Sequence, residues 1–150
     1  MKSRTASCCC GDLTITVRGE PERVVRCHCD YCQKRTGSVF QVSCWYSTEH
    51  IVSRTGTPRV FNESAGNQGV NYTFCPRCGS TVYWDFTILP GLYGIAVGCF
   101  VETDFPKPNL EIFTRYRHHW TDVLEGVESY EGFPSLEQVI PKRLLGGAKS

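Results

Sequence analysis

Ten cysteines in a chain of 150 residues constrain this protein more than any other feature. They are Cys8, Cys9, Cys10, Cys27, Cys29, Cys32, Cys44, Cys75, Cys78 and Cys99. Disulfide frameworks belong to oxidising compartments and to chains too small for a core of their own. A chain of this length buries most of its apolar surface without cross-links. The stretch from Met1 to Gly11 lacks the apolar core of a secretory signal, so the expectation is a reduced, cytoplasmic protein. Spacing then points to metal. Cys8-x-Cys10, Cys27-x-Cys29-x-x-Cys32 and Cys75-x-x-Cys78 are chelating intervals, in which a tight turn lets neighbouring sulfurs reach one ion about 2.3 Å away. Thiolate sets select zinc, iron–sulfur clusters or copper(I). The usual iron–sulfur spacings are absent, and zinc is the expected ion.

Seven ligands divide into four and three. Cys75-Pro76-Arg77-Cys78-Gly79 reads as a zinc knuckle, with Pro fixing one backbone angle and Gly tolerating positive φ after the second ligand. Cys8 and Cys10, followed by the permissive Gly11, supply the other half. Four thiolates close that site, which contributes to folding and not to chemistry. Cys27-His28-Cys29-Asp30-Tyr31-Cys32 offers three thiolates, and three protein ligands beside one exchangeable position is how a catalytic zinc is built. The alternative is a fourth protein ligand, Cys44, Cys99, His28 or His50. It would leave a non-catalytic module with two structural zincs, made for protein–protein interaction. A redox or zinc-buffering protein is a third reading. His28 lies between two ligands, and its ring is expected to point away from the ion. Cys44 and Cys99 sit in strand-like apolar segments, where cysteine is usually a small buried hydrophobe.

Cys8-Cys9-Cys10-Gly11, Cys27-His28-Cys29-Asp30-Tyr31-Cys32-Gln33-Lys34-Arg35-Thr36-Gly37 and Phe74-Cys75-Pro76-Arg77-Cys78-Gly79 together resemble the glutathione-dependent formaldehyde-activating enzymes, whose domain is shared with centromere protein V. The resemblance runs from about Ser7 to Pro134 and takes in Gly91-Leu92-Tyr93-Gly94-Ile95-Ala96-Val97-Gly98. It implies a structural zinc on Cys8, Cys10, Cys75 and Cys78 and a catalytic zinc on Cys27, Cys29 and Cys32. The implied reaction joins glutathione to formaldehyde. Cys9, Cys44 and Cys99 fall outside the seven-ligand pattern.

Charge arithmetic agrees with thiol chemistry. Zinc with three thiolates carries net −1 and activates water poorly beside a three-histidine site. A soft site favours a soft fourth ligand, and a coordinated thiol is deprotonated outright. The expected function is therefore that of a zinc-dependent carbon–sulfur lyase, adding a zinc-bound thiolate to a small aldehyde or reversing that addition. Lys34 and Arg35, fixed beside the ion by Cys32, are the candidates to hold the carboxylates of a glutathione-like thiol. Arg115 and Arg117 would share one strand face at period two. Candidate general acids or bases are His28, His50, His118, His119 and Asp85.

Strand signals dominate the chain: Leu13 to Val17, Val39 to Tyr46, Val70 to Phe74, Thr81 to Phe86, Tyr93 to Phe100 and Leu110 to Thr114. One short helix is expected over Ser135 to Ile140, behind a Ser N-cap. The predicted fold is mainly β with little helix, a single small domain of several coiled antiparallel sheets built around the four-cysteine zinc. It spans residues 7–134, followed by a partly mobile tail over 135–150. Ser64 to Gly69 reads as a flexible loop. The formal charge of +1 falls to about −2 once seven thiolates and two zinc ions are counted, which argues against a nucleic-acid partner. No apolar run is long enough for a membrane helix.

Overall fold

The computed structural model of the chain describes residues 1–63 and 69–146. Of the loop expected over Ser64 to Gly69, residues 64–68 lie outside the described residues, as do the final four residues of the chain.

Alternation of apolar and polar residues builds the smaller of two sheets. Strands β1 (Ser3–Ser7), β2 (Thr14–Arg18) and β5 (Ile51–Thr55) pair antiparallel in the order β1-β2-β5. Ile15 and Val17 of β2 are buried while Thr14 and Thr16 face outward, the period-two pattern of a half-buried strand. On the outer face, cross-strand hydroxyl pairs join Thr5 to Thr16 (2.9 Å) and Thr14 to Thr55 (2.6 Å).

The larger sheet contains β3 (Arg23–Cys27), β4 (Gln41–Ser47), β6 (Arg59–Glu63), β7 (Val70–Phe74), β8 (Thr81–Phe86), β9 (Leu89–Ala96), β10 (Leu110–Ile112) and β11 (Glu128–Ser129). Its order is β11-β10-β3-β4-β9-β8-β7-β6. Pairing is antiparallel except around β10, which runs parallel to both β3 and β11. The middle of this sheet is covered on both faces. Val24, Cys44 and Ile95 meet Ala6, Ile15 and Val17 of the smaller sheet and Leu13, which precedes β2. Val25 and Trp45, next in sequence, turn to a second core with Leu110, Ile112, Val139 and Ile140. A strand covered on both faces loses its alternation and reads as a continuous apolar run, as Val24-Val25 does.

Mainly β architecture is thus observed, with short helices α1 (Asp30–Thr36), α2 (Leu136–Val139) and α3 (Lys142–Leu145). The expected Ser135 cap is present, with Gln138 Oε1 accepting from both the backbone N–H and the hydroxyl of Ser135 at 2.9 Å. Residues 136–145 pack on the second core, where Val139 and Ile140 are buried and Leu144 and Leu145 lie against them.

Two strand expectations were too long. β9 stops at Ala96, and Val97–Phe100 form a 3₁₀ turn that carries Cys99. β10 stops at Ile112, where Phe113 adopts a left-handed φ of 55° and Thr114–Tyr116 wind into another 3₁₀ turn. Arg115 and Arg117 therefore do not share a strand face. Arg115 donates to the Glu131 carbonyl, while Arg117 reaches a buried carboxylate. Gly94 is required by close packing, because a Cβ there would overlap the indole of the buried Trp84.

Candidate metal centre and cavity

The chain forms two thiol clusters on opposite sides of the larger sheet. In the first, the Cys75–Cys78 turn closes through Gly79 N–H to the Cys75 carbonyl (2.8 Å), with Gly79 at φ 77°. The Cys8–Gly11 turn closes in the same way, Gly11 N–H to the Cys8 carbonyl at 3.0 Å. Sulfur-to-sulfur distances are 3.6 Å for Cys8–Cys10 and for Cys10–Cys75. Two sulfurs about 2.3 Å from one tetrahedral ion lie about 3.8 Å apart, so the donor set has the size a metal needs. Leu13 N–H donates to Cys8 Sγ (3.2 Å). The Ser80 hydroxyl and backbone hold the Cys78 thiol down at about 5. Cys8 and Cys75 are buried in the first core, so this cluster is continuous with the packing between the sheets. Cys9 is exposed and its thiol is outside the cluster.

The second cluster joins the end of β3 to the start of α1. Cys27, Cys29 and Cys32 place their sulfurs within 4.8 Å of one another, Cys27 and Cys32 at 3.6 Å. Cys29 is the N-cap of α1, its Sγ accepting from Cys32 N–H at 3.2 Å. A sulfur in place of the usual Ser, Thr, Asp or Asn hides this helix from a sequence reading. Hydrogen bonds from Cys27 and Cys32 draw the Cys29 thiol down to about 3. The same sharing, with burial, pushes the Cys27 thiol up. Among the described residues no fourth ligand joins the three. Cys44 is in the first core, its thiol raised by burial and directed at the Ile95 carbonyl (3.6 Å). Cys99, likewise raised by burial to about 11, lies 3.9 Å from the Thr81 carbonyl. His50 meets the Arg18 carbonyl at 2.8 Å.

His28 does turn away from the thiols. Fully buried, it places Nε2 2.5 Å from Glu111 Oε1. The same carboxylate takes Arg26 Nε at 2.8 Å and a second bond from Arg26 Nη2, while Arg117 pairs with Glu111 Oε2 at 2.8 Å. Burial alone would raise the Glu111 carboxyl, but the His28 and Arg26 hydrogen bonds and the Arg26 and Arg117 charges outweigh it and hold it below the usual range. Burial lowers His28, whose Nδ1 has no partner, so the ring is held neutral. The contact with Glu111 fixes the ring in place. Gln33 braces the other side, donating to the His28 carbonyl (2.9 Å) and accepting from His118 Nε2 (2.9 Å). The parallel pairing of β10 with β3 sets Glu111 opposite Arg26. Sequence reasoning missed Glu111, and its only signal was an acidic residue in an apolar strand segment.

The three thiols sit in the wall of a cavity of about 390 Å³. Aromatic rings make most of the remaining wall, among them Tyr31, Trp45, Tyr72, Trp84 and Phe86. Gln41, paired with Cys27 across β3 and β4, also faces the cavity, and its Oε1 is buried with no hydrogen-bond partner. Neither Lys34 nor Arg35 lines this space. Lys34 is 81% exposed and lies 3.9 Å from Asp30. Arg35 stacks over Tyr72 (4.5 Å) and Trp84 (5.0 Å), with Nε and Nη2 buried and unpartnered. Both cations line an adjoining pocket that shares Tyr31 and Tyr72 with the cavity. Asp85 accepts from Asn71 Nδ2 (2.8 Å), and His119 is exposed.

These features define a class: a β domain with two cysteine clusters able to hold metal ions, one a complete four-thiol set and one a three-thiol set opening on a cavity. The profile of the glutathione-dependent formaldehyde-activating enzyme family matches residues 3–116, and the chain belongs to that family. A Rhodobacter sphaeroides protein, solved by crystallography as a structural-genomics target, is similar in fold. It shares 19% identity at a TM-score of 0.51, covering 63% of this chain and 85% of its own. A search of curated proteins finds no match. Among the described residues no helix is long and apolar enough to cross a membrane.

Proposed function

We propose that the protein is a zinc-dependent carbon–sulfur lyase that adds a small thiol to an aldehyde or cleaves the adduct. Glutathione and formaldehyde are the pair the family description names. The observation that carries this reading is the three-thiol cluster on a cavity wall with, among the described residues, no fourth protein ligand. Cys27, Cys29 and Cys32 would hold the catalytic zinc, and Cys8, Cys10, Cys75 and Cys78 the structural one. When bound to three thiolates, zinc keeps a visiting thiol fully ionised at neutral pH, where a free thiol near pKa 8.5 is ionised only to a few per cent.

The chain's own groups supply the rest. In the addition a sulfur–carbon bond forms, the carbonyl π pair moves to oxygen, and the proton lost by the thiol ends on that oxygen. The Gln41 amide suits both forms, since Nε2 can donate to a carbonyl and Oε1 can accept from a hydroxyl. Lys34 and Arg35, in the adjoining pocket, would receive the glutathione carboxylates. Glu111 and Gln33 clamp the segment carrying Cys27 and Cys29 from both sides of His28. Cysteines set in chelating intervals suit a reducing compartment, and we assign the protein to the cytoplasm.

X-ray absorption at the zinc edge tests the reading directly. The zinc-loaded protein should average about 3.5 sulfurs per ion, rising to about 4 on adding glutathione. Two four-sulfur sites that ignore added thiol would leave only a structural module.

A further inference from the structure

The cavity is far larger than formaldehyde needs. A space of about 390 Å³ falls among pockets that enclose whole organic ligands, roughly 300–1,000 Å³. One carbon and one oxygen need little more room than a water molecule, about 30 Å³. Beside the cavity lies a second chamber of about 250 Å³. The two share Trp45, Val70, Phe86 and Phe133, and the second is completed by aliphatic side chains including Ile88, Leu89 and Leu92. Among the described residues no lysine or arginine lines either space, and the one carboxylate is Asp30.

Glutathione does not account for these walls. An ionised carboxylate moved against apolar rings without a cationic partner is strongly disfavoured, and Asp30 would add repulsion. The available cations, Lys34 and Arg35, stand beyond Tyr31 and Tyr72 in the adjoining pocket. The cations that the thiol's charged arms require are there, which leaves the two chambers to whatever the carbonyl carbon carries. A small number of placed polar groups orients such a ligand: Gln41, Ser43 and Tyr116 line the first chamber, and Gln41, paired with Cys27 across β3 and β4, is the one nearest the thiols for the carbonyl oxygen, while the second chamber is almost wholly apolar.

We propose that the aldehyde this protein handles bears an aryl or extended alkyl group, seated in the two chambers, rather than being formaldehyde. This rests on the lyase reading above. The reaction is unchanged in kind: sulfur bonds to the carbonyl carbon, the π pair goes to oxygen, and the thiol proton ends there, with no oxidant or reductant.

Two measurements on the zinc-loaded protein test it. In calorimetry, S-(2-phenylethyl)glutathione should bind at least tenfold tighter than S-methylglutathione, since one buried methylene alone is worth about tenfold or more. In exchange spectroscopy with glutathione, kcat/KM for phenylacetaldehyde should exceed that for formaldehyde at least tenfold. Ile88→Trp, filling the second chamber from a side chain that is 44% exposed, should cut the phenylethyl advantage about tenfold. An unchanged advantage in this variant overturns the assignment of the chamber. Equal binding of the thioethers with a preference for formaldehyde overturns the inference and leaves the lyase standing. Acceleration with neither aldehyde overturns both, and the zinc-edge measurement identifies that case.

Discussion

Glu111 is where the fold and the three-thiol site are joined, and replacing it tests that junction. Its side chain is 1% exposed, Arg26 is 7% exposed, and His28 is fully buried. Glu111→Gln keeps the shape and removes the charge. Removing one partner of a buried ion pair costs about 3–5 kcal/mol, because the charge left behind has neither water nor a counter-ion. Several features soften the loss. Arg26 keeps a 2.7 Å bond to the Asp122 carbonyl and its place over the Phe40 ring, and Arg117 is 20% exposed and can reach water. The lower figure, about 3 kcal/mol, is therefore expected. For a domain of this size that is a fall in Tm of roughly 6–12 °C, read by circular dichroism. The junction also predicts a second effect. The amide can still accept from His28 Nε2, but the bond loses its charge and the anchor weakens, so zinc affinity at the three-thiol site should fall about tenfold in competition with a chromophoric chelator. A Tm change under about 2 °C for Glu111→Gln, or unaltered zinc affinity, would refute the argument.

Two further outcomes follow from the geometry. Cys29→Ser should abolish activity and leave a folded chain, whereas Cys78→Ser should unfold it, because a structural zinc contributes about 10–16 kcal/mol to folding; equal thermal losses in both would contradict that division. Stability should also decline on acidification. His28 is held neutral, so the unfolded chain begins to take up an extra proton below its ordinary 6.5. The depressed Glu111 adds a stabilisation that is complete above 4.5 and lost as pH falls through its folded value. Urea midpoints measured across this range should fall with pH, and Glu111→Gln should flatten the limb below 4.5. A variant curve parallel to the parent would exclude Glu111 as the cause.

Local chemistry was legible and long-range placement was not. The knuckle at Cys75–Cys78, the hairpin of β7 and β8, and the capped turn at Ser135 are all encoded within a few residues, so spacing and propensity reveal them. Helix α1 escaped because its cap is a sulfur that also belongs to the thiol cluster. Arg115 and Arg117 were misread because Phe113, in the left-handed region, ends β10 early and turns the chain towards Glu111. Lys34 and Arg35 lie two and three residues after Cys32, yet the turn of α1 sends one to solvent and stacks the other on Tyr72.

What the sequence settled by itself is the grouping of seven thiols into sets of four and three able to hold metal ions, because the approach of neighbouring sulfurs within each short interval depends on a handful of consecutive bonds. Tertiary structure alone decided which thiols are kept apart from the three. It buried Cys44 in one core, turned Cys99 into a 3₁₀ turn, and bound the His28 ring to Glu111. It also gathered rings from β4, β7 and β8 into a cavity beside the thiols. Such contacts join residues far apart in the chain, and only the folded arrangement of the sheet brings them together.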